Sequence, residues 1–318
     1  MAELPALLEE LGIEHPLLVT SERWRELDLP AAATFYGVQP HTPSDVVEEA
    51  VAAAQDVDGI LGVGGGSAID TAKAVSARTG LPVVSVPTTY SGAEWTPGFG
   101  IRDEERRVKA GGSGARLAGI VYDTELTLGL PPAESAGTAM NALAHCAEAL
   151  YVEGRNEEAD GHALQGAGLI SASLPLVLAD SDYIEARRRL LEGAMYAGAA
   201  LAGAGLGLAH ALAQALGGRY GLPHGALNAI CLPPALRFNE PVAGSEIERF
   251  GEAMATHDPV GRVEELARLG GFTLLRHLNV PEEELDEVAA EAVERRGTKA
   301  NPRPASAEEI AELYRSVW

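Results

Sequence analysis

The 318-residue chain is 46% apolar and carries 46 acidic against 24 basic side chains, a formal charge of −22. That supplies apolar material for two cores. So acidic a surface repels phosphate backbones and anionic membranes, which argues against nucleic acid as a partner. The two cysteines, Cys146 and Cys231, form neither a disulfide framework nor a paired-cysteine zinc site, and they suit a reducing cytoplasm.

The opening MAELPALLEELGIEHPLLVT mixes acids with short apolar runs and reads as no secretion signal. PLLVT at 16–20, GILGV at 59–63, PVVSVP at 82–87 and AGIVYD at 118–123 read as buried strands. The segments between them read as helices. In HTPSDVVEEAVAAAQ, Thr42 is the expected N-cap, Pro43 the first helical residue and Asp45 the capping-box acid. Strand, helix, strand at this spacing predicts a parallel α/β sheet up to about Leu130. From Pro131 and Pro132 onward Ala-rich helical segments dominate, so residues 1–130 are expected to form a dinucleotide-binding α/β domain and 131–318 an all-helical domain. Later apolar runs such as GAMYAGAALAGAGLGLA are Gly- and Ala-rich and read as buried helix, not as a bilayer span.

GILGVGGGSAIDTAKAV places a glycine cluster between a strand and a helix, where bare backbone N–H groups and a helix N-terminus can hold a pyrophosphate. Ser67 and Asp70 have capping-box spacing. The usual dinucleotide fingerprint is only approximated, with no acid ending the next strand. PTTYSG supplies Thr88, Thr89 and Ser91 at the carboxyl end of that strand, where open α/β sheets bind ligands.

In the second half Asn141 and His145 are four apart, as are His210 and Gln214, so each pair shares a helix face; His224 follows Pro223 in a turn. Three convergent imidazoles suffice for a catalytic divalent ion with an open position. The plainer reading is that a histidine in an Ala-rich helix is a satisfied core residue. His15, His41, His162, His257 and His277 lie in polar surroundings and read as surface residues.

GGGSAIDTAKAV, PTTYSGAEWTP, YDTELTLGLPP, MNALAHCAEALY, LGGRYGLPHG and NPRP, in this order, resemble the iron-containing alcohol dehydrogenase superfamily and, within it, the maleylacetate reductases. The resemblance implies the dehydroquinate synthase-like pairing of a parallel-sheet α/β domain with an all-α domain, and a nicotinamide in the cleft between them. It implies that Gly64, Gly65, Gly66 and Ser67, with Asp70 nearby, hold the pyrophosphate of NAD(H) or NADP(H). Thr88, Thr89 and Ser91 would line the adenosine and ribose side, and Lys109 would contact the cofactor. The family's metal ligands fall on Asn141, His145, His210 and His224, with zinc or iron as the ion. A homodimer is the family's common state.

The chain departs from the family at four points. Asn141 replaces the usual Asp, as in maleylacetate reductases, and leaves only neutral ligands. Gln214 replaces a histidine and cannot serve as acid or base near neutral pH. Asn228 and Pro234 stand where relatives often carry histidine, and the stretch before Gly59 is short.

The implied activity is NAD(P)H-dependent reduction of a carbonyl or carbonyl-conjugated alkene, with His145, His210 and His224 stabilising charge on the substrate oxygen. Arg219 and Arg237 are the candidate contacts for a dicarboxylate. A metal-dependent alcohol or polyol dehydrogenase is the alternative enzyme. An NAD-binding lyase of the dehydroquinate synthase group and a non-catalytic nucleotide-binding protein are the alternatives of another class.

Overall fold

The computed structural model describes residues 1–103 and 105–318. The chain divides into two compact units, Met1–Thr89 with Ala93–Thr127, and Tyr90–Gly92 with Leu128–Trp318. The first begins with α1 (Leu4–Glu10) and β1 (Pro16–Val19), followed by β2 (Ala33–Phe35), α2 (Ser44–Ala52), β3 (Gly59–Gly64), α3 (Gly66–Thr79) and β4 (Pro82–Pro87). It continues through β5 (Phe99–Asp103), β6 (Val108–Gly112) and β7 (Arg116–Ile120).

Among the described residues the main sheet runs β2-β1-β3-β4-β7, with every neighbouring pair parallel. Alternation along each strand sorts the apolar side chains onto two faces. Leu17, Val19, Ile60 and Val83 pack with Ala50 of α2 and Ala72 and Val75 of α3, while Leu18, Leu61, Val63, Val84 and Val86 pack with Leu4 and Leu8 of α1. The four expected strands are present, PVVSVP at its expected ends and the others within three residues of theirs. The segment between β4 and β7 was expected to be helical and is instead the antiparallel hairpin β5–β6.

Two expected caps are absent. Helix α2 begins at Ser44 with Pro43 as N-cap, and Thr42, at φ 53°, directs its hydroxyl to the Ser67 carbonyl at 3.3 Å. Helix α3 has Gly65 as N-cap and no side-chain cap. Ser67 Oγ accepts from the His41 N–H at 3.1 Å. Asp70 is used within the unit, accepting from the Gly100 N–H at 3.1 Å and pairing with Lys73 at 2.9 Å.

Beside α3 the turn Ala93–Trp95 buries Glu94, whose Oε1 accepts from the Tyr122 hydroxyl at 2.8 Å; that hydroxyl accepts from Trp95 Nε1 at 2.7 Å. Burial raises the Glu94 carboxyl above its ordinary value of 4.5, against the opposing hydrogen bonds and Lys73 charge. With the folded-state pKa raised, the unfolded chain binds fewer protons once pH passes 4.5, so stability declines from there upward. Glu94→Gln is therefore expected to gain melting temperature relative to wild type as pH rises from about 5 to about 8. A constant difference across thermal melts in that range would show the carboxyl to be ionised in the folded chain.

The second unit is helical: α4 (Pro132–Ala149), α5 (Glu157–Ala179), α6 (Ile184–Ala204), α7 (Leu208–Tyr220), α8 (His224–Ala253), α9 (Pro259–Leu269), α10 (Leu285–Val293), α11 (Arg296–Lys299) and α12 (Ala307–Ser316). Helix α4 is buried almost all round, as its small side chains permit. Helix α5 is long and apolar enough on composition alone to cross a membrane, but Ala163, Ala167, Ile170 and Leu174 are buried in the unit's core.

Arg187 is fully buried and donates to the Tyr90 hydroxyl at 3.0 Å and to the Leu130 carbonyl at 3.4 Å, which ties Tyr90–Gly92 into this unit. Asn301 of the NPRP motif and Asn239 of α8 exchange amide hydrogen bonds of 2.7 and 2.9 Å. The Tyr314 hydroxyl donates to the Leu212 carbonyl of α7 at 3.0 Å.

Candidate active site

The glycine turn of the first unit is built for close backbone approach. Gly64 sits at φ 143°, and a Cβ there would lie 2.7 Å from Ala68 Cβ; one at Gly62 would lie 2.7 Å from Ala72 Cβ. Those contacts hold α3 tight against β3, with its uncapped N-terminus at the carboxyl edge of the sheet. Thr88 donates its backbone N–H to the Gly64 carbonyl at 3.0 Å, and Thr89 packs against Gly65 with its hydroxyl buried and unpartnered. A cradle with no room for side chains, beside an unsatisfied hydroxyl, fits the pyrophosphate of a dinucleotide. The stem of Lys109 lies over Gly100 across the hairpin.

In the second unit α4, α7 and α8 bring together Asn141, His145, His210 and His224. The His145 and His210 rings stack with centroids 4.6 Å apart and planes at 11°, and the His210 and His224 centroids are 5.7 Å apart. Glycines permit this. Gly225 meets Gly137 backbone to backbone, so a Cβ at 225 would overlap the Gly137 carbonyl and lie 2.8 Å from its Cα. Gly92, at φ 71°, leaves space toward His145 Nδ1, which a Cβ would approach to 3.6 Å.

Asn141 donates its amide to the Ser91 carbonyl at 3.0 Å and accepts from Asn228 Nδ2 at 2.7 Å, so its Oδ1 faces His210 Nε2 at 3.3 Å. The same Asn228 nitrogen lies 3.1 Å from His224 Nε2, which must accept. Ser91, expected on the ribose side, thus belongs to the histidine unit. His145 Nδ1 is buried without a partner, and burial, then the neighbouring His210, holds this imidazole well below its ordinary pKa of 6.5. Burial also pushes the Cys146 and Cys231 thiols up, as expected of inert core cysteines.

The four residues implied as metal ligands are therefore neighbours, yet their arrangement does not fit a metal ion. Asn228 occupies the acceptors of Asn141 and His224, and among the described residues no three His, Cys, Asp or Glu side chains are grouped to hold a metal. Gln214 is half-buried on α7, and Pro234 is buried inside α8. Arg219 and Arg237 are not positioned as dicarboxylate contacts. Arg219 is engaged by Glu284, Glu287 and Glu291, and Arg237 by Glu264.

Sequence reasoning missed Glu148. This side chain of α4 is fully buried, and its carboxylate accepts from Gly207 N at 2.8 Å, His210 N at 3.1 Å and His210 Nδ1 at 2.6 Å. An acid three residues after His145 in the Ala-rich AHCAEALY was the available signal.

A sheet unit with a glycine turn shaped for a pyrophosphate and a helical unit with clustered imidazoles are parts that a nicotinamide-dependent dehydrogenase or reductase requires. Residues 1–119 match "Iron-containing alcohol dehydrogenase" and residues 135–318 match "Fe-containing alcohol dehydrogenase family, C-terminal". The maleylacetate reductase of Pseudomonas sp. (strain P51) is 34% identical over 98% of this chain and 91% of its own length. The crystal structure of maleylacetate reductase from Rhizobium sp. strain MTP-10005 superposes with a TM-score of 0.90 at 31% identity, covering 100% of this chain and 93% of that one. That of a putative alcohol dehydrogenase from Ralstonia eutropha JMP134 gives 0.93 at 32%, over 100% and 93%. The chain belongs to the iron-containing alcohol dehydrogenase family. It is an NAD(P)H-dependent oxidoreductase resembling the maleylacetate reductases.

Proposed function

We propose that the protein reduces a carbonyl, or an alkene conjugated with a carbonyl as in maleylacetate, at the imidazole cluster and without a metal ion. The observation that carries this reading is that one Asn228 amide bonds both Asn141 and His224, beside His210 and an unpartnered His145. Gly64, Gly65, Gly66 and Ser67 hold the dinucleotide, which supplies hydride when bound.

Negative charge then develops on the substrate oxygen and needs a donor. His145 is suited to this role because its buried, unpartnered Nδ1 is better left as a lone pair than as an orphaned N–H. That places its proton on Nε2. His224, accepting from Asn228 at Nε2, carries its proton on Nδ1 in the neutral form. His210 Nε2 and Asn141 Oδ1, 3.3 Å apart, are both acceptors and can orient a water, whose second proton completes the reduced product and whose hydroxide leaves to solvent. Gln214 takes no part in proton transfer. The same reading places the protein in the cytoplasm as a homodimer, on its cysteine usage and family.

The test is loss of nicotinamide absorbance with maleylacetate and a panel of aldehydes, before and after treatment with a strong chelator. Turnover of maleylacetate that survives chelation, and does not rise on adding Zn²⁺ or Fe²⁺, is expected. Activity confined to alcohols and aldehydes and abolished by the chelator would establish the metal-dependent alcohol dehydrogenase instead, a reading supported by the alcohol dehydrogenase likeness at 32% identity.

A further inference from the structure

Glu148 itself is assigned no contact with substrate or cofactor, yet it is a fully buried acid in an alanine-rich helix. A carboxylate so placed is unfavourable unless donors surround it. Three do: Oε2 accepts from the Gly207 N–H and faces His210 Nδ1, and Oε1 accepts from the His210 N–H. Gly207 is the N-cap of α7 and supplies no side-chain cap, so the Glu148 carboxylate, reaching over from α4, does the capping. The positive end of a 13-residue helix adds to its stabilisation. Room for this approach exists because position 207 lacks a side chain; a Cβ there would sit 3.1 Å from the Glu148 carboxyl carbon.

One carboxylate thus holds both the backbone of the first turn of α7 and the ring of His210, the third residue of that helix. A carboxylate only accepts, so the ring nitrogen facing it must carry the proton, and Nε2 is left turned toward Asn141. Asn141 is fixed from its far side by the Ser91 carbonyl and Asn228, so neither neighbour of His210 can rotate to suit a different tautomer.

We propose that Glu148 is a positioning residue for the reaction, holding His210 in the Nδ1–H tautomer so that Nε2 stays an acceptor beside Asn141. The assignment rests on the reading of His210 as an acceptor that orients the water. Removing such a partner costs activity through the wrong tautomer and a mobile ring, without touching the dinucleotide site of the other unit.

Two measurements test it. In ¹⁵N-histidine-labelled wild-type protein, long-range ¹H–¹⁵N spectra, assigned by the loss of signal in His210→Ala, should show His210 protonated at Nδ1 and unprotonated at Nε2. The opposite tautomer overturns the proposal whether or not any Glu148 variant folds. In kinetics, Glu148→Gln should lower kcat by roughly 10- to 100-fold and leave the KM for NAD(P)H unchanged. Because Glu148 acts through His210, the Glu148→Gln/His210→Ala double variant should be no slower than His210→Ala alone. Losses that multiply would overturn the positioning role. A His210→Ala protein with full activity would instead sink the functional reading on which the proposal stands.

Discussion

Replacing His145 with alanine is expected to lower kcat/KM for the carbonyl substrate by about 10²- to 10³-fold, the usual cost of removing one donor to a developing oxyanion. This imidazole has the least committed hydrogen bonding of the three, since Glu148 holds His210 and Asn228 holds His224. Its pKa is depressed by burial, so it stays neutral across the physiological range and acts as a hydrogen-bond donor, not as a cation. The KM for NAD(P)H should not change, because the glycine cradle belongs to the other unit. Steady-state kinetics with each substrate varied in turn make the comparison. A variant retaining more than about a tenth of wild-type kcat/KM would remove His145 from the chemistry.

The second large effect is structural. Gly225→Ala should destabilise the helical unit by on the order of 3 kcal/mol, because the new methyl group meets the Gly137 backbone and cannot be relieved by a rotamer change. That corresponds to a fall in melting temperature of roughly 6–12 °C for a unit of this size. Activity should fall further than stability, since the substitution forces α4 from α8 and so separates Asn141 and His145 from His224. Calorimetry and a parallel assay below the melting transition would report both. A variant with unchanged melting temperature and activity would mean that the two helices can part at no cost.

The strands of the first unit were legible because β1, β3 and β4 are continuous buried apolar runs, and the turn after β3 because glycines cluster where a strand meets a helix. The hairpin β5–β6 was not legible. FGIRD and VKAGG are short, part-exposed and interrupted by glycine, so they carry neither an apolar run nor clean alternation. The caps failed for a different reason. Ser67 and Asp70 have capping spacing, but tertiary partners at His41, Gly100 and Lys73 compete for their oxygens.

The imidazole cluster was legible as a set only through family resemblance, since spacing along the chain does not say that α4, α7 and α8 converge. What surrounds the set was hidden. Glu148 and His210 are 62 residues apart, and Asn228 and Asn141 are 87 apart. An acid or amide in a helix looks from sequence like part of a solvated face. Arg219 shows the converse, a cation that suggested a carboxylate ligand and that the protein's own glutamates surround.

The tail woven into the helical unit bears on how the protein is made. Leu212 lies two residues beyond His210 on α7, yet its carbonyl waits for the Tyr314 hydroxyl, and the Asn239 amide waits for Asn301. On the ribosome, the sheet could assemble early while these groups stayed open to water. The helix bearing the central imidazole would lock only after Asn301 and Tyr314 have emerged, so the nascent chain would form its glycine turn well before its imidazole cluster.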